Sequence, residues 1–113
     1  MLKYVRETMN SLPVIFSEEQ RLFIEQSMTE VCKRGGWRLH EVACQPDHVH
    51  ILLTIETEAK SVRKWIKTWL SQLMNEKNGN RKWWAKGGSC KYIFDDEYFA
   101  VVKEYIREQK AGT

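Results

Sequence analysis

The chain has 113 residues, 42% hydrophobic and 12% aromatic, which is enough bulky side chain for a core and enough length for one domain over residues 1–113 rather than two. Eighteen Lys and Arg against fifteen Asp and Glu leave a formal charge of +3, too small a bias to require a polyanionic partner by itself. Three cysteines with no C-x-x-C pair argue against a disulfide framework and a cysteine zinc site. No run approaches the roughly 20 apolar residues of a membrane span, and the N-terminus lacks the apolar core of a signal peptide, so a cytoplasmic protein with no membrane partner is expected.

The opening segment KYVRETMNSLPVIF carries no clear period and is compatible with a short extended piece around the Pro13 break. Ser17-Glu18-Glu19-Gln20 has the S-x-x-Q form of a capping box, and Ile24, Met28, Val31 and Cys32 follow at helical spacing up to Gly35-Gly36. A helix over about 18–34 is therefore predicted. WRLHEVACQ then alternates as a strand, Pro46-Asp47 supplies a turn, and HVHILLTI reads as a second strand, so the two form an antiparallel hairpin. From Ala59, the residues Val62, Trp65, Ile66, Trp69, Leu70, Leu73 and Met74 make a helical apolar stripe that stops near NEKNGN. RKWWAKGGSCKYIF contains a strand beside a loop at Gly87-Gly88, and Asp95-Asp96 caps a last helix carrying EYFAVVKEYIREQ. The order predicts an α+β domain, an antiparallel sheet packed by helices.

Charge is unevenly placed. Between Lys60 and Lys91 the basic residues are Lys60, Arg63, Lys64, Lys67, Lys77, Arg81, Lys82, Lys86 and Lys91, with Glu76 the single acid. Four of them, Lys60, Arg63, Lys64 and Lys67, share the polar side of the second helix and can follow a phosphate backbone, although a lysine face is most often only solvated. Trp65 and Trp69 fall on the apolar stripe and are assigned to the core. Of Trp83 and Trp84, set among cations and a glycine loop, Trp84 is taken as the residue that stacks on a base.

Two pairs of side chains can carry chemistry. His48 and His50 alternate on one strand and project together, with Cα atoms about 7 Å apart, so both imidazoles can converge on one metal ion; a histidine at a strand end is also commonplace. Tyr105 and Gln109 stand four apart on the last helix and share a face. A tyrosine hydroxyl is a competent nucleophile toward a polarised phosphate, and an amide oxygen can ligate a hard cation. Tyr105 also continues the stripe of Phe99, Val101, Val102 and Ile106 and is equally readable as core.

Taken together, HVH on a strand followed by YIREQ on a helix, with SEEQR, RGGWRLHEVACQPDHVHILL, the basic tryptophan helix and WWAKGGSCKYIFDDEYF between and before them, resembles the HUH single-tyrosine transposases. These include the insertion-sequence 200/605-like enzymes and the REP-associated tyrosine transposases. The resemblance runs from about Ser17 to Gln109 and implies a ferredoxin-like, RRM-like fold. It implies that His48, His50 and Gln109 hold Mg²⁺ or Mn²⁺ and that Tyr105 attacks single-stranded DNA near a hairpin, leaving a 5′-phosphotyrosyl link and a free 3′-hydroxyl. Lys60, Arg63, Lys64, Lys67, Arg81, Lys82, Trp84, Lys86 and Lys91 would then contact DNA. Asp47 is a candidate to orient an imidazole or to cap the turn, Glu104 or Glu108 can replace Gln109 as a ligand, and His40 is structural or exposed. The family carries a strand ahead of the first helix that is not evident here. The sheet is expected to lack that strand or to replace it with residues 3–15, and an open edge would favour the homodimer usual among relatives. Two other functions fit the residues: a non-catalytic single-stranded nucleic-acid-binding domain, and a phosphohydrolase in which the histidine-bound metal activates water.

Overall fold

A computed structural model, describing residues 2–12 and 14–111, begins with a regular strand that the sequence conceals. Strand β1, Lys3–Asn10, runs through the middle of a four-stranded antiparallel sheet ordered β2-β3-β1-β4, where β2 is Arg38–Cys44, β3 is His48–Ile55 and β4 is Ser89–Ile93. The first strand is therefore present and paired on both sides; it is formed within residues 3–15, as the second of the two alternatives expected, and the alternative of a sheet lacking it is corrected. Its concealment has a physical cause. Val5 and Met9 are buried on one side of the strand, but the residue between them on that side is Glu7, so the alternation looks broken. The Pro13 break lies outside the described residues.

Helix α1, Glu18–Gly35, opens with the expected capping box: the Gln20 amide donates to Ser17 Oγ at 3.1 Å, and the Ser17 amide donates to Gln20 Oε1 at 2.9 Å. Gly36, at φ 76, ends it in the left-handed conformation that glycine adopts without strain. Helix α2, Ala59–Asn78, lies beside α1, and both cover one sheet face. Val5, Met9, Val49, Ile51, Leu53 and Ile55 meet Ile24, Met28, Val62, Ile66 and Leu70 there. Helix α3, Asp96–Glu108, is capped by Asp95, whose side chain accepts from the Glu97 amide at 3.2 Å. It packs on the other face, where Val102 and Ile106 close a smaller cluster with Ala43, Leu52 and Ile93. Among the described residues no helix is long and apolar enough to cross a membrane.

The tryptophans exchange the places expected of them. Trp83 and Trp84 are buried at 1% and 5% exposure and pack on Phe16, so Trp84 has no free face for a base and the stacking assignment is corrected. Trp65, assigned to the core, is 51% exposed, and Trp69 is only half-buried. Arg63 also leaves its expected place. It is buried under β1 and paired with Glu7, an internal ion pair rather than a DNA contact. Lys67 is half-buried and donates to the carbonyls of Ala85 (2.8 Å) and Gly87, tying the Gly87-Gly88 loop to α2.

Candidate active site

Strand alternation and register place the site. On β3, Val49 and Ile51 point to α1 and α2, so His48 and His50 point to the α3 face. The pairing sets Thr8 opposite His50 and Asn10 opposite His48. His48 Nε2 and His50 Nε2 stand 3.1 Å apart. Each ring is held from behind at its other nitrogen. His48 Nδ1 lies 2.6 Å from Asp47 Oδ1, and because a carboxylate only accepts, a proton sits on Nδ1 and Nε2 is the nitrogen turned toward His50. His50 Nδ1 lies 3.2 Å from Thr8 Oγ1. Burial, then the neighbouring charges of His48 and Arg6, push the His50 pKa down to about 4, so its ring is neutral at physiological pH.

These residues fit a divalent ion. Two imidazole nitrogens 3.1 Å apart share a proton or a cation between them, and that spacing also suits neighbouring ligands about 2.1 Å from one centre. A partner on the far nitrogen is how ligand histidines are ordinarily oriented. Among the described residues no third His, Cys, Asp or Glu joins the two rings in a metal-holding group. Gln109 sits at the C-cap of α3, and its carbonyl accepts from Gln45 Nε2 at 2.5 Å, which brings the end of the helix to the hairpin turn that carries the histidines. No hydrogen bond joins the Gln109 side chain to either ring among the described residues. Glu104 is paired with Arg107 at 3.5 Å.

Tyr105 comes to the same place from α3. Its ring centre is 6.5 Å from that of His50 in the same chain, and the side chain is 47% exposed, so it is not core. Arg6, on the same face of β1 as Thr8, holds its guanidinium 5.3 Å from the centre of the Tyr105 ring. Arg6, Thr8, Ser89, Cys90 and Lys91 line an open cleft of about 270 Å³ beside this pair. Lys91 donates to the Tyr98 hydroxyl at 3.2 Å, and that hydrogen bond lowers the Tyr98 pKa. Arg6 and Thr8 escape a reading of the sequence because their strand does; once β1 is placed, the register with β3 and β4 puts both on the histidine face. Lys60 and Lys64 are exposed on α2, across the sheet from the imidazoles; Arg81, Lys82 and Lys86 are exposed in the segment between α2 and β4, and Lys91 is exposed on β4. His40 is structural: its Nε2 meets Thr54 Oγ1 at 2.6 Å, and its ring packs against Tyr4 and Phe99.

The C-terminal end of α3 is anchored by Glu41, buried at 6% exposure, which meets Lys110 at 2.6 Å and Arg107 at 3.3 Å. Burial pushes the Glu41 carboxyl up, but hydrogen bonds and charge from Lys110 and then Arg107 outweigh it and hold the pKa below its ordinary value. A depressed carboxyl stabilises the fold above its unfolded pKa near 4.5, and this contribution drains away as pH falls through the lower folded value. Glu41→Gln should therefore cost about 1–2 kcal/mol at neutral pH and speed amide exchange over the last turn of α3. The gap to the parent should close on acidification below that range, and a pH-independent gap would count against the anchor.

The fold and the family agree. A model of the family described as "Transposase IS200 like" matches residues 5–109. Among solved structures, a provisionally assigned transposase from Deinococcus radiodurans R1 superposes with a TM-score of 0.71 at 16% identity, covering 97% of this chain and 93% of that one. A REP-associated tyrosine transposase bound to a REP hairpin superposes with a TM-score of 0.66 at 14% identity, covering 92% of this chain and 64% of that one. No curated protein matches the sequence. With the match spanning all but the ends of the chain, and with the sheet and helices arranged as in those structures, the chain belongs to the IS200-like transposase family.

Proposed function

We propose that this transposase-family protein is a metal-dependent single-stranded DNA endonuclease and strand transferase in which Tyr105 is the nucleophile. The observation that carries the reading is the meeting, in one chain, of two back-supported imidazoles with an exposed tyrosine that rides on a separate helix. His48, His50 and Gln109 would hold Mg²⁺ or Mn²⁺, which supplies charge to polarise the scissile phosphate. The chain's own groups do the rest. Asp47 and Thr8 fix the two rings, and Glu41 fixes the C-terminal end of the helix that carries Tyr105. The Tyr105 oxygen forms a bond to phosphorus as its proton leaves, the bond from phosphorus to the 3′-oxygen breaks, and that oxygen takes up a proton. A 5′-phosphotyrosyl link and a 3′-hydroxyl result, and attack by another 3′-hydroxyl reverses the step.

Arg6, beside the Tyr105 ring, and Lys91, across the cleft, offer cations to the phosphates next to the reacting one. Lys60, Lys64, Arg81, Lys82 and Lys86 extend the positive surface around the β4 side, a course that single-stranded DNA can follow. The REP hairpin on the similar transposase supports hairpin-bearing DNA as the substrate. A homodimer is part of the proposal, with the exposed outer strand β4 as an edge able to pair.

The test is covalent trapping. With Mn²⁺ and labelled single-stranded DNA carrying hairpins, the parent protein should form a denaturant-resistant adduct, and Tyr105→Phe should form none. Cleavage that persists in Tyr105→Phe would replace the nucleophile by metal-activated water. Salt-sensitive binding with no cleavage by the parent would reduce the protein to a binding domain.

A further inference from the structure

The tryptophans that do not enter the core form an ordered feature far from the histidines. Trp37, Trp69 and Trp65 stand in a row in the groove between the end of α1 and the first half of α2. The ring centres are 5.7 Å apart for Trp37 and Trp69 and 5.3 Å for Trp65 and Trp69, with interplanar angles of 32° and 31°. The ladder is built rather than left over. Gly35 lies flat against the Trp37 indole, and a Cβ at Gly35 would stand 2.5 Å from the ring, so only glycine lets Trp37 take its place. The Arg34 guanidinium sits 5.5 Å from the centre of the Trp69 ring and is also within 3.7 Å of Glu30. The last indole, Trp65, is 51% exposed. Together with Arg34, Gly35, Thr57, Ser61 and Val62 the three rings line a groove of about 400 Å³ with a cation and no carboxylate in its walls.

We propose that this ladder is a second binding site, a stacking shelf for an unpaired nucleobase of the DNA strand held at the Tyr105 site. It rests on the single-stranded DNA reading above and adds to it a distal contact that reads bases rather than phosphates. An indole presented to water loses the favourable burial that a core position would give it, whereas its open face can take a purine or pyrimidine of any identity. Arg34 beside the central ring adds a cation for the adjoining phosphate. The size of the feature favours a base over a second protein. A tryptophan buries at most about 250 Å², and Trp65 is exposed over about half of its surface, while a stable protein interface needs about 800 Å² from each partner. No lysine of α2 lines this groove, so the shelf is separate from the proposed path of phosphate contacts.

The experiment uses the full chain, a mixed-sequence single-stranded 20-mer and an abasic oligomer of the same length. The base-bearing oligomer should quench tryptophan emission and bind about tenfold more tightly to the parent than to Trp65→Ala, the loss of one stacked base. The abasic oligomer should bind both proteins alike. Gly35→Ala, which pushes Trp37 out of the row, should weaken base-bearing DNA while circular dichroism stays that of the parent. Equal affinity of the base-bearing oligomer for the parent and Trp65→Ala overturns the shelf, as does a Trp65→Ala effect confined to sedimentation, which would make the groove a contact between two copies. At saturating DNA, Trp65→Ala should still form the Tyr105 adduct. Quenching without any adduct from the parent keeps the shelf and rejects the nucleophile, and an adduct with unchanged affinity in Trp65→Ala does the reverse.

Discussion

Arg63→Ala should lower the unfolding free energy by about 3–5 kcal/mol, the cost of leaving a buried carboxylate without its partner. Arg63 Nε and Nη2 reach the two oxygens of Glu7, the second pair at 3.3 Å, and both side chains are closed between β1 and α2. Nothing loose can fill the vacated space easily, because Gly88 already lies against it: a Cβ there would stand 2.7 Å from the Thr8 carbonyl and 3.0 Å from Arg63 Nε. Burial raises the Glu7 pKa more than the hydrogen bond and charge of Arg63 and the charge of Lys67 lower it. A carboxyl whose folded pKa is raised stabilises most when protonated and loses that contribution as pH rises through the folded value. The deficit of Arg63→Ala in urea unfolding should therefore be greatest near pH 7 and shrink toward pH 4. Replacing both partners with apolar residues of similar shape, Glu7→Leu with Arg63→Met, should return to within about 2 kcal/mol of the parent. An equal deficit at both pH values, or a double variant no better than Arg63→Ala, would show that the ion pair is not what the single substitution breaks.

The same pair explains what the sequence hides. Capping boxes, apolar stripes and the Pro46-Asp47 turn are local, so α1, α2, α3 and the β2–β3 hairpin can be read within a few residues of where they lie. Strand β1 cannot, because its inward Glu7 is acceptable only against Arg63, and no local pattern connects them. With β1 hidden, Thr8 and Arg6 are hidden too, although the former backs His50 and the latter borders Tyr105. The histidines and the tyrosine are legible because their chemistry and spacing mark them. The fate of the cations and tryptophans is not. Arg63 and Trp84 look like surface residues because charge and a glycine loop surround them, while Trp65 looks like core because its spacing from Ile66, Trp69 and Leu70 is helical. Periodicity gives the direction in which a side chain points from its helix. Whether another element covers that direction depends on the neighbour, and over Trp65 α1 has already ended at Gly35.

Removal of either imidazole should abolish adduct formation in Mn²⁺, and the graded response of their supports distinguishes a metal site from two stacked rings. His48→Ala or His50→Ala takes away a proposed ligand and should cost well beyond the roughly 10–100-fold that follows loss of an outer partner. Thr8→Val keeps the shape of the side chain and removes only the oxygen 3.2 Å from His50 Nδ1. Asp47→Ala removes the acceptor that holds His48 Nδ1 and so orients its ring. Each should raise the Mn²⁺ concentration needed for half-maximal cleavage about 10–100-fold. The same shift should appear in the paramagnetic resonance signal of free Mn²⁺ without DNA, so that binding is read apart from chemistry. Tyr105→Phe should leave the Mn²⁺ titration unmoved, because its ring borders the site and its hydroxyl is proposed as the nucleophile alone. Had the two histidines been a strand end with incidental imidazoles, Thr8→Val and Asp47→Ala would change neither curve, and an adduct formed by His50→Ala at parental rate would decide for that outcome.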